Sequence, residues 1–298
     1  MKPPVFAYHR PASLDEALAT LADLGGDAKV LAGGQSLVPV LNMRLAAPAA
    51  LVDINKLAEL SFVHTHDHLV RVGALARHAR TERDEAAFAA LPLLRQATRQ
   101  VAHPTIRNRG TTVGSIVHAD PAAEMPAVLL LCGGSVELAS AVGDGQRGTA
   151  SGRREVAAAD FFLGPLDSDV RPGELAVAAS FPVPTGRCGS AWLEVSRRAG
   201  DYALCGVGVL AALDADSRVR RLLAAYISVG PTPVLVDLTE AVAGQVFDAA
   251  DLSSAAALAQ ARIEPDDDIH ATADYRRHLA GVLTRRAAAE ALARAGEA

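Results

Sequence analysis

Two short runs in this chain hold the residue types that can cradle a diphosphate. The first is Ala32, Gly33, Gly34, Gln35, Ser36 and Leu37, entered from the apolar pair Val30-Leu31. The second is Gly110, Thr111, Thr112, Val113, Gly114 and Ser115, which leads into Ile116-Val117. Glycine allows backbone N–H groups to approach a ligand, and clustered N–H groups make a concave anion site. One such turn is a weak signal, because Gly33-Gly34 alone also fits a plain strand-to-helix turn. Two turns with a domain's length of chain between them can close on an extended dinucleotide from both sides. Each run is expected to join a short apolar strand to its turn.

Other residue sets point to chemistry less strongly. His64, His66 and His68 alternate, which on a strand puts three imidazoles on one face, a pattern suited to zinc or copper. Thr65 and Asp67 lie between them at an expected hairpin, so a solvated turn is the favoured reading. His118 and Asp120 resemble an acid–base pair but read as structural parts of a loop. Arg197 and Asp201 fit a surface ion pair as well as a functional role. Trp192 is the single tryptophan, and such a residue is more often core than ligand contact. No nucleophile–base–orienter set stands out, so no catalytic residue and no metal ligand is assigned.

The elements that must position the two runs fall into three units. Ser13 with Glu16 forms a capping box that opens a helix over 14–24, stopped at Gly25-Gly26. Strands are expected at 29–31 and 51–54, completing a small α/β lobe over about 1–55. A second lobe, 56–175, holds a strand at 69–73, helices at 82–90, 92–101 and 125–131, and a strand at 135–139. A Gly-rich turn is expected at 141–152. From Pro172-Gly173 onward a C-terminal unit, 176–298, contains strands at 180–184, 190–195, 206–213 and 222–229. It ends in a helix over 274–293, with Arg276, Arg277, Arg285 and Arg286 on its polar side. Strand runs followed by helices indicate an α+β fold.

Composition narrows the classes. At 298 residues, 50% hydrophobic and 21% charged, the chain can bury a substantial core. Its net charge of −5 argues against a nucleic-acid partner. No apolar run approaches the roughly 18 residues of a membrane span. Met1 to Phe6 shows no apolar signal segment, so a cytoplasmic location is expected. Three scattered cysteines, Cys132, Cys188 and Cys205, are too few for an iron–sulfur cluster and read as reduced core thiols.

Six stretches, in order along nearly the whole chain, carry a family resemblance. They are 32–39 followed by Asn42-Met43-Arg44 and Val52-Asp53-Ile54; Gly73 to His78; Arg109 to Thr111 with His118 to Glu124; Phe161 to Pro165; Ser196 to Ala203; and Gly230 to Pro233. Together the chain resembles the FAD-binding medium subunit of the molybdenum hydroxylases, the family of xanthine dehydrogenase and aerobic carbon monoxide dehydrogenase.

The resemblance implies two N-terminal lobes of the vanillyl-alcohol oxidase (PCMH-like) type with FAD between them, and a C-terminal α+β domain of the carbon monoxide dehydrogenase flavoprotein type. It assigns Ala32 to Leu37 and Thr111 to Ser115 to the pyrophosphate, Glu124 to ribityl or ribose hydroxyls, and Leu163 and Trp192 to the flavin ring. Many members carry two adjacent glycines in the second loop, and Val113 replaces the first. A β-branched residue resists positive φ, so an altered loop path is expected there. The implied role is electron transfer from 2Fe–2S clusters of a small subunit, through FAD, to an external acceptor. Oxidation of the substrate would occur at a molybdenum cofactor in a large subunit, within a dimer of heterotrimers. Two rival readings are a stand-alone FAD-dependent oxidase or dehydrogenase, and an assembly scaffold that has lost FAD.

Overall fold

The computed structural model describes residues 2–141 and 152–298. The expected Gly-rich turn at 141–152 lies almost wholly outside the described residues.

The first lobe is a three-stranded parallel sheet. Ala50–Asp53 lies between Ala7–His9 and Ala28–Leu31. Helix Leu14–Leu24 packs Ala17, Leu18 and Leu21 into the core. Its cap is reciprocal: Ser13 accepts from the Glu16 N–H, and the Glu16 carboxylate accepts from the Ala12 N–H at 2.7 Å. Gly25, at φ +56°, ends the helix.

The second lobe is a five-stranded antiparallel sheet in the order 63–66, 69–73, 174–182, 135–140, 152–157. Its central strand, Glu174–Pro182, pairs with Leu69–Gly73 on one side and Ser135–Ser140 on the other. The expected boundary at 175/176 therefore moves. A fully paired central strand cannot leave its sheet, so the C-terminal domain starts after residue 182. The expected helix at 82–90 divides into His78–Arg83 and Glu85–Ala90, because Asp84 takes extended backbone and caps the second helix through the Ala87 N–H. Asp67 and His68, both at positive φ, make the tight turn of the hairpin that joins 63–66 to 69–73.

The C-terminal domain is an antiparallel meander of Cys188–Ser196, Ala203–Leu213, Val219–Ile227 and Val234–Asp237. One face, with Trp192, Leu223 and Ile227, joins the core of the two N-terminal lobes. The other packs against helices Leu252–Arg262 and Ala273–Glu297. The long helix lies close on the sheet because it is alanine-rich and because Gly189 admits it: a Cβ at Gly189 would stand 2.1 Å from the Ala291 carbonyl oxygen. Arg276 is not on the solvent side as the helix pattern suggests. It is 7% exposed, donating to the Ser228 carbonyl and pairing with Asp268 at 2.6 Å. The free thiols Cys132, Cys188 and Cys205 form no disulfide.

Candidate functional site

The first run is a true loop at the carboxyl end of strand 28–31, beside the carboxyl end of strand 50–53. Crevices beyond the carboxyl ends of parallel strands are where such sheets take ligands. Gly34 has φ +72°, which glycine adopts freely. Gln35 folds back to donate to the Gly33 carbonyl at 3.0 Å. Among the described residues, the N–H groups of Gly33, Gly34, Gln35 and Ser36 have no protein acceptor. Helix Leu37–Asn42 follows directly.

The second run is built differently. The apolar stretch beside this turn, expected as strand, is a helix, Thr112–His118, with Thr111 as its N-cap accepting from the Gly114 N–H at 3.1 Å. The N-cap hydroxyl satisfies the first turn, so local capping overrides the β-branched content. Val113 needs no positive φ, since it lies in the first helical turn, 1% exposed. The Val113 side chain is core, which leaves only its backbone to face a ligand. Thr112 is also buried, 3.1 Å from the Thr81 hydroxyl and 3.5 Å from His78 Nδ1. Backbone bonds tie the run to the preceding strand end: the His78 N–H to the Gly110 carbonyl, and the Thr112 N–H to the Ala76 carbonyl. Burial, followed by the nearby Arg107 charge, lowers the His78 pKa to about 4, so its ring is neutral.

The two runs meet at glycine width. A Cβ at Gly33 would lie 2.5 Å from the Arg109 carbonyl oxygen and 2.7 Å from the Gly110 Cα. Asn55 and Arg77 join them. Asn55 Nδ2 donates to the Ala32 carbonyl at 2.9 Å, and its Oδ1 accepts from Arg77 Nη2 at 2.6 Å. Arg77 Nη1 donates to the Arg109 carbonyl. Burial raises the Asp53 carboxyl, but hydrogen bonds from Tyr8 and Asn55 and the Arg10 charge outweigh it and hold the group below its usual range. Arg77 and His78 lie in the Gly73–His78 resemblance stretch, which assigned neither a contact, and Asn55 carried no sequence signal. The available signal was their position just beyond strand ends.

The other predicted contacts lie further along. Leu163 is 61% exposed on the small hairpin 162–168. That hairpin is docked on the second run's helix, with the Leu166 N–H bonded to the Ala119 carbonyl and the Ser168 hydroxyl to the Val117 carbonyl. Glu124 opens helix Glu124–Leu131. Burial, then the Glu194 carboxylate, pushes its pKa up to about 8. Trp192 does not offer a face to a ring. It is 4% exposed, packs toward Gly208 and Leu131, and donates to Glu194 at 3.0 Å. Its expected role as a ring cover is corrected to a core role. His64 stacks on Phe62 at an exposed strand end, and among the described residues no side-chain group could hold a metal.

Four of the six resemblance stretches converge on one cavity of about 490 Å³ between the lobes and the C-terminal domain. Asp120 and Pro121, Pro165, Arg197 and Tyr202, and Pro231 all line it. The Ser228 N–H, bonded to the Pro121 carbonyl at 2.9 Å, fixes this seam. The glycine-width approach, the free N–H groups and the exposed Leu163 fit an elongated dinucleotide with a planar end.

Comparison with known proteins agrees. Residues 4–184 match the FAD binding domain in molybdopterin dehydrogenase, and 190–291 the CO dehydrogenase flavoprotein C-terminal domain. This chain is an FAD-binding medium subunit of the molybdenum hydroxylase family. It is 37% identical to the alpha subunit of the 6-hydroxypseudooxynicotine dehydrogenase complex of Paenarthrobacter nicotinovorans, covering 99% of this chain and 97% of that protein. It is 36% identical to the carbon monoxide dehydrogenase medium chain of Afipia carboxidovorans, covering 99% of each. Among solved structures, quinoline 2-oxidoreductase from Pseudomonas putida superposes with a TM-score of 0.91 at 35% identity, again over 99% of each chain. The medium subunit is thus a flavoprotein oxidoreductase component of a multi-subunit enzyme. Among the described residues, no helix is long and apolar enough to cross a membrane. The matched domains also split between 184 and 190, as the sheet pairing does.

Proposed function

We propose that this subunit carries electrons from 2Fe–2S clusters of a small partner subunit to an external acceptor, while a molybdenum-cofactor large subunit oxidises the substrate, in a dimer of heterotrimers. FAD, when bound, supplies the exchange between single-electron and two-electron transfer. The chain's own residues bind and orient. N–H groups of Gly33 to Ser36 and Val113, with the side chains of Gln35 and Ser115, face the diphosphate. Thr111 and Thr112 hold the second run's geometry from behind. Glu124 accepts from hydroxyls of the cofactor, and Leu163 covers an apolar face.

The observation that carries this reading is the contact between the two runs, too close for any side chain at Gly33. The cavity at the domain seam, lined by Asp120, Pro165 and Tyr202, supports access of an acceptor to the bound cofactor.

The test is purification of the chain from its host with its partners, followed by absorption spectroscopy. Flavin bands together with iron–sulfur absorption are expected. Anaerobic reduction, then addition of oxygen, a quinone or NAD⁺, should reoxidise the clusters in the intact complex and fail after FAD is removed. Turnover by the single chain would favour a stand-alone flavoenzyme. A colourless protein that added FAD does not restore would favour the scaffold.

A further inference from the structure

We infer that Asn55 and Arg77 act as a two-residue strut that sets the gap between the glycine runs, and that this gap governs FAD affinity. The inference rests on the FAD reading above.

The strut is continuous. It starts at Asp53, which accepts from the Tyr8 hydroxyl and from both the N–H and the Nδ2 of Asn55. Asn55 then reaches the carbonyl of Ala32, at the entry of the first run. Arg77 reaches the carbonyl of Arg109, at the entry of the second. That same Arg109 carbonyl is the atom Gly33 abuts. The contact between the runs and the strut therefore share one atom, and the strut cannot lengthen without opening the contact.

The geometry uses the guanidinium's shape. Its two terminal nitrogens point to two acceptors on different segments, Asn55 Oδ1 and the Arg109 carbonyl. A planar fork does this with little added entropy loss; an ammonium, a flexible point charge, does not. Among the described residues, no carboxylate pairs directly with Arg77. Burial and the neighbouring Arg109 both disfavour its charge, and Asp53 supports it only at longer range. A half-buried cation whose hydrogen-bond partners are neutral keeps its field for a diphosphate at the runs beside it.

The experiment separates shape from charge. Wild type, Arg77→Lys, Arg77→Gln, Asn55→Ala and Asn55→Asp would be purified as full chains, stripped of FAD and titrated with FAD by fluorescence quenching. Thermal melting of each FAD-free chain would be recorded in parallel. Arg77→Lys, which keeps the charge, is expected to weaken FAD binding by about 10-fold or more, from the loss of a charge-assisted hydrogen bond in a partly buried site. Arg77→Gln should weaken it further and flatten the dependence of affinity on ionic strength. Asn55→Ala should match Arg77→Lys, and the double variant should be no worse than either single one, because both cut the same strut. Asn55→Asp keeps an acceptor for Arg77 but loses the donor to Ala32, so it gives the same answer if Asn55→Ala does not fold. Lysine at 77 binding FAD like wild type would overturn the inference, as would fully additive losses. So would losses that simply track the drop in FAD-free melting temperature. Wild type that takes up no FAD would overturn the FAD reading and the strut with it.

Discussion

The two glycine runs have similar compositions and opposite constructions. The first keeps Gly34 at φ +72° and leaves four successive N–H groups without acceptors among the described residues. The second is a helix start with a threonine cap, two buried side chains and backbone bonds to Ala76 and His78. The first is open backbone held from outside by Asn55. The second is a packed element held from within by its cap and by the neutral His78. Similar residue types thus serve ligand access in one place and rigid backing in the other, and burial of the side chains is what separates them.

The sharpest way to break this comparison is Gly33→Val. A β-branched side chain at Gly33 must push against the Arg109–Gly110 backbone, 2.5 Å from the position of its Cβ. Overpacking against backbone costs about 1–3 kcal/mol or more, so FAD affinity should fall by about 100-fold. The chain should purify without flavin and with an unchanged circular dichroism spectrum. Normal flavin content would show that the runs can part freely.

His78 gives the next effect, and its sign follows from its ionisation. The folded-state pKa is about 4 against 6.5 for the free side chain. The unfolded chain therefore binds a proton that the folded chain refuses. The stabilisation is complete above pH 6.5 and is lost as pH falls toward 4. Relative to His78→Gln, wild type should lose on the order of 3 kcal/mol across that window. Denaturant unfolding of both chains at several pH values measures it, and a constant difference would contradict the buried neutral ring. The loss should also loosen the second run before the first, since Gly110 rests on this ring.

Val113→Gly tests whether the second run needs packing rather than glycine freedom. It sets two glycines side by side, 113 and 114, yet should lower stability by roughly 2–3 kcal/mol, through a lost core side chain and glycine's poor helix propensity. Flavin content at low temperature should stay close to wild type. Improved stability would mean that the run prefers a path unlike the capped helix.

The limits of the sequence reading have the same physical origin. Helix 14–24 was legible from its cap and its stop, and strand 69–73 from alternation, because both signals are local. The helix at 112–118 was not. Val113, Ile116 and Val117 favour strand, and only the tertiary pairing of Thr112 with Ala76 reveals the capped turn. The place of strand 174–182 was hidden for a similar reason: its partners at 69–73 and 135–140 are distant in sequence. The two runs were visible as ligand chemistry by residue type. Asn55 carried no signal, and Arg77 stood in the Gly73–His78 stretch without an assigned role, since an asparagine and an arginine so far apart carry no spacing pattern and their joint role exists only once both strand ends lie side by side.

The smallest effect separates the two helix starts most cleanly. Thr111 and Ser36 occupy equivalent N-cap positions, and both residue types cap well. Only Thr111 does so here: its hydroxyl accepts from the Gly114 N–H, whereas Ser36 has helical backbone angles and makes no side-chain cap bond. Thr111→Ala should therefore cost about 1 kcal/mol of stability, and Ser36→Ala almost none. Binding should show the reverse ordering. Losing the Ser36 hydroxyl removes a polar group from the open run and should raise the FAD dissociation rate. Losing the Thr111 hydroxyl frees an N–H that can still face the diphosphate, so dissociation should change less. Melting temperature and FAD release, measured on the two variants side by side, read both orderings at once. Equal effects on both quantities would mean that the runs are constructed alike and that burial does not divide their roles.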